Sequence, residues 1–422
     1  MKTNLKTKKI NLEKALLFGC DIGKSEIDAY FRNETDSLFI AHSDRFRNTN
    51  SLILSKLQEY EGIAASKGYE RICILCEPSG GYEKRLMRAA RWRGNLAFYV
   101  SSEATAAMRT VESNDSEKSD EKDPRIIHLL GRMDKVLEFR KMDDSRSMLR
   151  ELNGIYENES LKASELKNEI SSLLERLFPD LDTARGFIYG KTGAVMALNF
   201  KLSPWRILEC GYDEFIATIK RSGVKKPKAL EKVWNSAKAS VNQVMPDWER
   251  EMLENRFTEL YGDWKRHESR KESIKTKMME TARLLPEFQK FQSEGLWVFP
   301  LVRVLAETGN PCDFSDSRQI LRFAGLNIRR RASGKYKGKD KISKKGRSLL
   351  RKNLYQLVFA IMIKKGGLFH DYFEKKKKEM PSGLMAMVAV MRKTLKMIFG
   401  VARSNAKFDR ERVFCSSGKI AA

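Results

Sequence analysis

Cysteine, histidine and long apolar runs are all scarce in this 422-residue chain. Six cysteines in that length cannot form the disulfide framework of a small secreted domain. Cys73 and Cys76 are spaced like a metal pair, but they lie in an apolar run. On a strand, residues three apart face opposite ways, so both read as core thiols. The four histidines, His42, His128, His267 and His370, are near neither a cysteine nor one another, which argues against zinc. No run of 18 apolar residues occurs, and a mean hydropathy of −0.50 excludes a polytopic membrane protein. Residues 1–14 are basic and lack the apolar core of a secretory signal, so the expected compartment is the reducing cytoplasm. Acidic charge is also short. Fifty-five Asp and Glu face 80 Lys and Arg, for a net charge of +25 at pH 7. Such an excess predicts a polyanionic partner, nucleic acid first and an anionic membrane surface second.

The length suggests two or three domains. Residues 15–133 alternate like an α/β domain. Leu16–Ile22, Glu26–Phe31 and Leu38–His42 read as a three-strand meander. A helix over Thr49–Lys67, a strand over Arg71–Cys76, a helix over Tyr82–Trp92 and a strand over Leu96–Val100 follow. A long helical stretch then runs from Ser102 towards Met133. The order βββαβαβα is that of the ribonuclease H-like fold, an α+β class, although order alone carries little weight.

Residues 134–290 are helical almost throughout. Leu149, Leu152, Tyr156, Leu166, Ile170, Leu173 and Leu177 recur at helical spacing up to Phe178-Pro179, which predicts an amphipathic or coiled-coil arm. The charged stretch Trp248–Leu285 could return along it, with a small helical insert over about 180–246 between them. Within the insert, Gly186 to Thr192 is one residue short of a phosphate-binding P-loop and reads as a helix-capping turn. Residues 291–415 are expected to form a mainly helical C-terminal domain. Arg329–Lys352 holds twelve Lys and Arg, one acid (Asp340) and three glycines. Core helices are expected over Leu349–Ile363 and Leu384–Val401, with Lys375–Lys378 on an exposed turn between them.

Four acids stand out by placement. Asp21 ends the first strand and Glu77 the fourth, while Asp120 and Asp123 are three apart and would share a helix face. In a ribonuclease H-like sheet the first and fourth strands are neighbours and the last helix crosses their ends, so the carboxylates would converge. Hard oxygen ligands suit Mg²⁺ or Mn²⁺, which clamp the oxygens of a phosphodiester. An acid at the end of a strand as apolar as that preceding Asp21 is costly without a partner. Ser333, beside Gly334 and among Arg329, Arg330, Arg331, Lys335, Lys337, Lys339, Lys341, Lys344, Lys345 and Arg347, could be a nucleophile or a phosphate contact. Spacing alone favours the contact. The cations themselves read as a nucleic-acid-binding set.

These two sets together resemble the DEDD serine recombinases of bacterial insertion sequences, the family numbered 110, which also contains the pilin-gene invertase. The resemblance rests on CDIGKSEIDAYF around Asp21, CEPSGGYEKRLMRAARWRG around Glu77, Asp120-x-x-Asp123 with Arg125, and the FAGL…RR…SG…K run around Ser333. The tail MAMVAVMRKTLKMIFGVARSNAKFD also matches. It implies a RuvC-like domain, a coiled-coil arm and a C-terminal transposase domain. By the family role, Asp21, Glu77, Asp120 and Asp123 would hold Mg²⁺ and Ser333 would be the nucleophile. The partners implied are donor and target DNA, a structured guide (bridge) RNA from the element, and further copies of the chain, as dimers pairing into tetramers. The setting implied is the bacterial cytoplasm, at the nucleoid and away from membranes. Two departures stand out: Ser293–Trp297 replaces a Pro-Gly-x-Gly hairpin, and Pro124, which would disturb a helix running straight through, follows Asp123. A Holliday-junction resolvase using metal-activated water, and a nucleic-acid chaperone without chemistry, are the alternatives from other classes.

Overall fold

The computed structural model describes residues 14–32, 41–78, 80–113, 122–138, 142–183, 186–223, 227–242, 244–292, 298–329, 332–333, 336–337, 341–362, 367–404 and 407–408. Backbone packing divides the chain into two compact units, 1–141 and 142–422.

The first unit is built on an apolar strand, β1 (Ala15–Ile22), followed by β2 (Glu26–Arg32) and β3 (Ala41–Arg47). Helix α1 (Asn50–Ser66), β4 (Arg71–Cys76), α2 (Lys84–Trp92), β5 (Leu96–Val100), α3 (Ser102–Ser113), α4 (Lys122–Arg132) and β6 (Val136–Glu138) complete it. Among the described residues these form one sheet of order β3-β2-β1-β4-β5-β6. The first three strands pair antiparallel, β1, β4 and β5 run parallel, and β6 closes the far edge antiparallel to β5. This is the α+β, ribonuclease H-like arrangement, with β1 beside β4.

Period-two alternation sorts β1 into two faces. Leu16, Phe18, Cys20 and Ile22 pack with Ile53, Leu57 and Tyr60 of α1 and Leu86, Met87 and Ala90 of α2. Ala15 and Leu17 pack instead with Cys73, Leu75 and Phe98 of the sheet and Ile126, Ile127 and Leu130 of α4. Cys73 and Cys76 fall in different clusters, both buried, and burial raises both thiols above their ordinary range.

Three elements differ from expectation. Of the expected third strand Leu38–His42, residues 38–40 lie outside the described residues, and the strand described there runs on to Arg47, an edge strand with only Phe46 buried and so little apolar signal. The stretch after Ser102 contains two helices, α3 and α4, with residues 114–121 between them outside the described set. Strand β6, at three residues, is too short to show a period.

The second unit is dominated by two long helices, α5 (Asp144–Leu177) and α10 (Asp247–Arg283). They pack antiparallel. Arg176 pairs with Glu249 at one end, and Glu159 pairs with His267 midway. Between them in sequence come α6 (Lys191–Phe200), α7 (Pro204–Glu209), α8 (Tyr212–Arg221) and α9 (Pro227–Ser240). These form a core with Ile170, Leu174 and Leu177 of α5 and Leu253, Phe257 and Leu260 of α10. Gly190 stands at the N-cap of α6, the helix-capping turn expected there.

The remaining elements are α11 (Pro286–Gln292), α12 (Val298–Thr308), α13 (Ser317–Phe323), β7 (Ile328–Arg329), β8 (Ala332–Ser333), β9 (Tyr336–Lys337), β10 (Lys341–Ile342), α14 (Ser348–Met362), α15 (Leu368–Glu379) and α16 (Gly383–Arg403). Leu149 of α5 and Met278 and Ala282 of α10 pack in the same core as Leu301, Leu354 and Leu395, so both long helices are rooted in the C-terminal core. Lys375–Lys378 lie within α15, not on a turn. Ser293–Trp297 lie outside the described residues.

Candidate active site

Parallel pairing of β1 with β4 runs in register to Cys20 opposite Cys76. One residue further along each strand stand Asp21 and Glu77, both half-buried, so two carboxylates sit at adjacent ends of neighbouring strands. By alternation Asp21 shares the face of Gly19 and Leu17, the one covered by α4.

The approach of α4 depends on Gly19. A β-carbon there would lie 2.1 Å from the carbonyl oxygen of Pro124 and 2.6 Å from the amide nitrogen of His128. Glycine lets the first turn of α4 rest directly on β1. Pro124 belongs to that first turn, where a missing N–H costs little, so it starts the helix instead of breaking it. Asp123 rides on the same turn and is 3 % exposed.

Asp123 does not stand open. Arg109 of α3 donates to it through two nitrogens, at 2.7 and 2.8 Å, forming a bidentate pair in which the two side chains are 15 % and 4 % exposed. Hydrogen bonding to Asp123, with the charges of Glu77 and Asp21 adding, holds the Arg109 guanidinium above its ordinary value. One arginine thus feels all three described acids. Asp28 lies directly across from Asp21 on β2, and Arg45 of β3 neutralises it at 2.5 Å. His128, beneath the acids on α4, is pushed down to about 4 by burial, with Arg32 adding, so it is neutral at neutral pH.

The donors are hard oxygens of the kind Mg²⁺ or Mn²⁺ takes. As arranged, however, the carboxylate of Asp123 is committed to Arg109. Among the described residues no three His, Cys, Asp or Glu side chains converge closely enough to hold an ion. Asp120 lies outside the described residues.

Ser333 belongs to the second unit. β7 pairs with β10, setting Ile328 opposite Ile342 and Arg329 opposite Lys341. Inside that stem β8 pairs with β9, setting Ser333 opposite Tyr336. The serine therefore lies on the inner of two nested strand pairs. The base is locked by backbone bonds from Ser343 to Asn327 at 2.7 Å, Lys344 to Gly325 at 3.0 Å and Arg347 to Phe323 at 2.8 Å. Gly346, at φ 143°, makes this crossing possible, since a β-carbon there would meet Phe323 O at 2.4 Å. Arg351 donates to the carbonyls of Ala324 and Gly346, and Arg392 to that of Leu326.

The basic set divides accordingly. Arg329, Lys341, Lys344 and Lys345 are exposed around the stem. Arg330, Arg331, Lys335 and Lys339 lie outside the described residues, and Lys337 is described only as backbone in β9. Arg347 is turned inward onto Glu307, which is 1 % exposed and also accepts from Asn153 at 2.6 Å. Its charge is thus already met inside the protein.

Sequence reasoning missed Arg109, Gly19, Asp28 and Glu307. Gly19 carried a usable signal, because a lone glycine inside an apolar strand marks a close backbone approach. The other three have none, since each gains its meaning from a partner brought by folding.

Comparison with known families gives two matches, one running from the first unit through α5 of the second and one within the second. The model described as transposase, IS116/IS110/IS902 family, matches residues 299–374, and the DEDD transposase model of the IS110 group matches residues 18–179. No individual curated protein matches the chain. The first matched stretch carries the serine hairpin and the second carries Asp21, Glu77 and Asp123, and together they span more than half of the sequence. The chain belongs to the IS110 family of transposases and is an enzyme of DNA recombination.

Proposed function

We propose that this transposase is an RNA-guided, site-specific recombinase that moves its own element, with Ser333 as the nucleophile of strand exchange. The observation that carries the reading is the nested hairpin. It sets Arg329 directly across from Lys341, a like-charge pair that destabilises a strand ladder unless an anion lies against it. A phosphodiester is such an anion, and the serine stands on the inner hairpin of the same structure. In the proposed step the serine hydroxyl attacks phosphorus. A new ester forms between its oxygen and the phosphate, its proton passes to a base, and the displaced deoxyribose oxygen leaves. Asp21, Glu77, Asp120 and Asp123 are the residues proposed to hold Mg²⁺ or Mn²⁺, which neutralises charge on a phosphodiester when bound. The guide RNA and the pairing of dimers into tetramers follow from the family resemblance.

A serine nucleophile leaves a protein–DNA ester, whereas metal-activated water, as in a resolvase, leaves none. Denaturing a stalled reaction should therefore release DNA covalently attached to this chain at Ser333. Ser333→Ala should abolish the adduct and strand exchange together. Arg329→Gln should weaken DNA binding and lower its salt slope by about one unit while the adduct still forms. An adduct on another residue, or cutting that survives Ser333→Ala, defeats the proposal.

A further inference from the structure

Helix α14 turns Leu350, Leu354, Leu357, Val358 and Ile361 into the C-terminal core. Its five exposed positions are Ser348, Lys352, Tyr355, Gln356 and Phe359, which follow one another at helical spacing along a single face. No aliphatic side chain is among them, yet two aromatic ones are, 42 % and 53 % exposed. These stand four residues apart, with ring centroids 6.4 Å apart and ring planes 11° from parallel. A lone exposed aromatic is ordinary, but an aligned pair is a flat apolar surface that water covers at a cost. The polar groups beside the rings are anchored, since Gln356 accepts from Arg303 at 2.6 Å and Lys352 pairs with Glu157.

This face begins at the strand pairs that carry Ser333. Arg351 donates to the carbonyls of Ala324 and Gly346, which ties the first turn of α14 to the base of the β7–β10 pair. At about 1.5 Å per residue, Tyr355 and Phe359 stand about 10 and 16 Å along the helix from Ser348. Lys344 and Lys345, both exposed, precede them, and Arg329 faces Lys341 on the stem. Cations leading to exposed aromatic rings suit a single strand of nucleic acid, because the charge follows its backbone and every base offers a π face. A duplex hides those faces inside its stack. Strand exchange requires each cut strand to leave its complement, which uncovers bases beside the scissile phosphate. We infer that Tyr355 and Phe359 form a stacking platform for bases of the DNA strand that Ser333 attacks, engaged once those bases unpair. This inference rests on the reading of the serine strand pairs as a DNA-binding element.

The test is binding of the full-length protein to a fluorescein-labelled single-stranded DNA of mixed sequence, followed by anisotropy. Tyr355→Ala and Phe359→Ala should each weaken binding by about fivefold or more, the low end for one lost base stack. The salt slope should stay as it was, because no charge is removed, and affinity for duplex DNA should not change. Phe359→Trp should bind like the unaltered chain, whereas Phe359→Leu, apolar but not flat, should bind like the alanine variant. Full binding by Phe359→Leu, with a smaller particle in ultracentrifugation when Phe359 is alanine, would mean that the face docks a second copy of the chain and overturns the inference. The unaltered protein gives a readout that needs no variant. Irradiated with the same DNA carrying 5-iododeoxyuridine, it should cross-link at Tyr355 or Phe359 in mass spectrometry, and cross-links confined to other residues overturn the platform. Arg329→Gln in the same binding assay separates the two readings. If it weakens binding and the aromatic variants do not, the platform falls and the DNA-binding reading of the strand pairs stands; if none of them weakens binding, both fall.

Discussion

Gly19 leaves room for the backbone of α4 that no other residue offers. With a β-carbon 2.1 Å from one α4 backbone atom and 2.6 Å from another, helix and strand must separate. Gly19→Ala should cost about 1–3 kcal/mol, the usual range for overpacking a close contact. The melting temperature should fall by several degrees, while strand exchange should fall further because Asp123 moves with the helix. Differential scanning fluorimetry beside an adduct assay checks the ratio, and parallel small losses in both would mean that α4 placement does not limit chemistry. At this scale much of the site was legible. Asp21 and Glu77 announced themselves as acids at the ends of apolar strands. Asp123 was found, but not the arginine that holds it, because a lone arginine in a mixed helix gives no sign of a partner 14 residues away.

The serine hairpin shows what element-level reading could and could not reach. Composition marked Arg329–Lys352 as the most basic stretch, and its described residues carry strands β7–β10 and the start of α14. Its two-residue strands carry no period, so nested pairing was invisible until the base was seen to be closed by bonds to Gly325, Asn327 and Phe323. The long helices were legible for the opposite reason, since α5 repeats its apolar stripe over 34 residues. Glu307 holds the base through Arg347, 40 residues away. Glu307→Gln keeps the shape and removes the charge, at a cost of about 1.5–3 kcal/mol for a charge-assisted hydrogen bond. Amide exchange at Ser343, Lys344 and Arg347 should then accelerate by about tenfold or more, as expected for local opening. Hydrogen-exchange mass spectrometry of residues 341–350 reads this, and unchanged protection would remove Glu307 from the support of the hairpin.

For the whole molecule, the charge of +25 is the broadest constraint. If a guide RNA is the resident polyanion, protein purified at low salt should carry one discrete RNA, whose sequence maps beside the gene encoding the chain. Its affinity should fall with salt at about −0.7 log units per log unit for each phosphate neutralised on single-stranded parts and about −0.9 on paired ones. Heterogeneous cellular RNA of no fixed sequence would instead mean a merely basic surface. The sheet order has a last consequence, which concerns synthesis. Asp21 and Glu77 become neighbours only when β4 pairs with β1, Asp123 joins them only when α4 lies down on Gly19, and Ser333 follows much later in the chain. On the proposed roles, a chain released before residue 333 would carry Asp21, Glu77 and Asp123 without the serine, so strand exchange would wait until the second unit had been made.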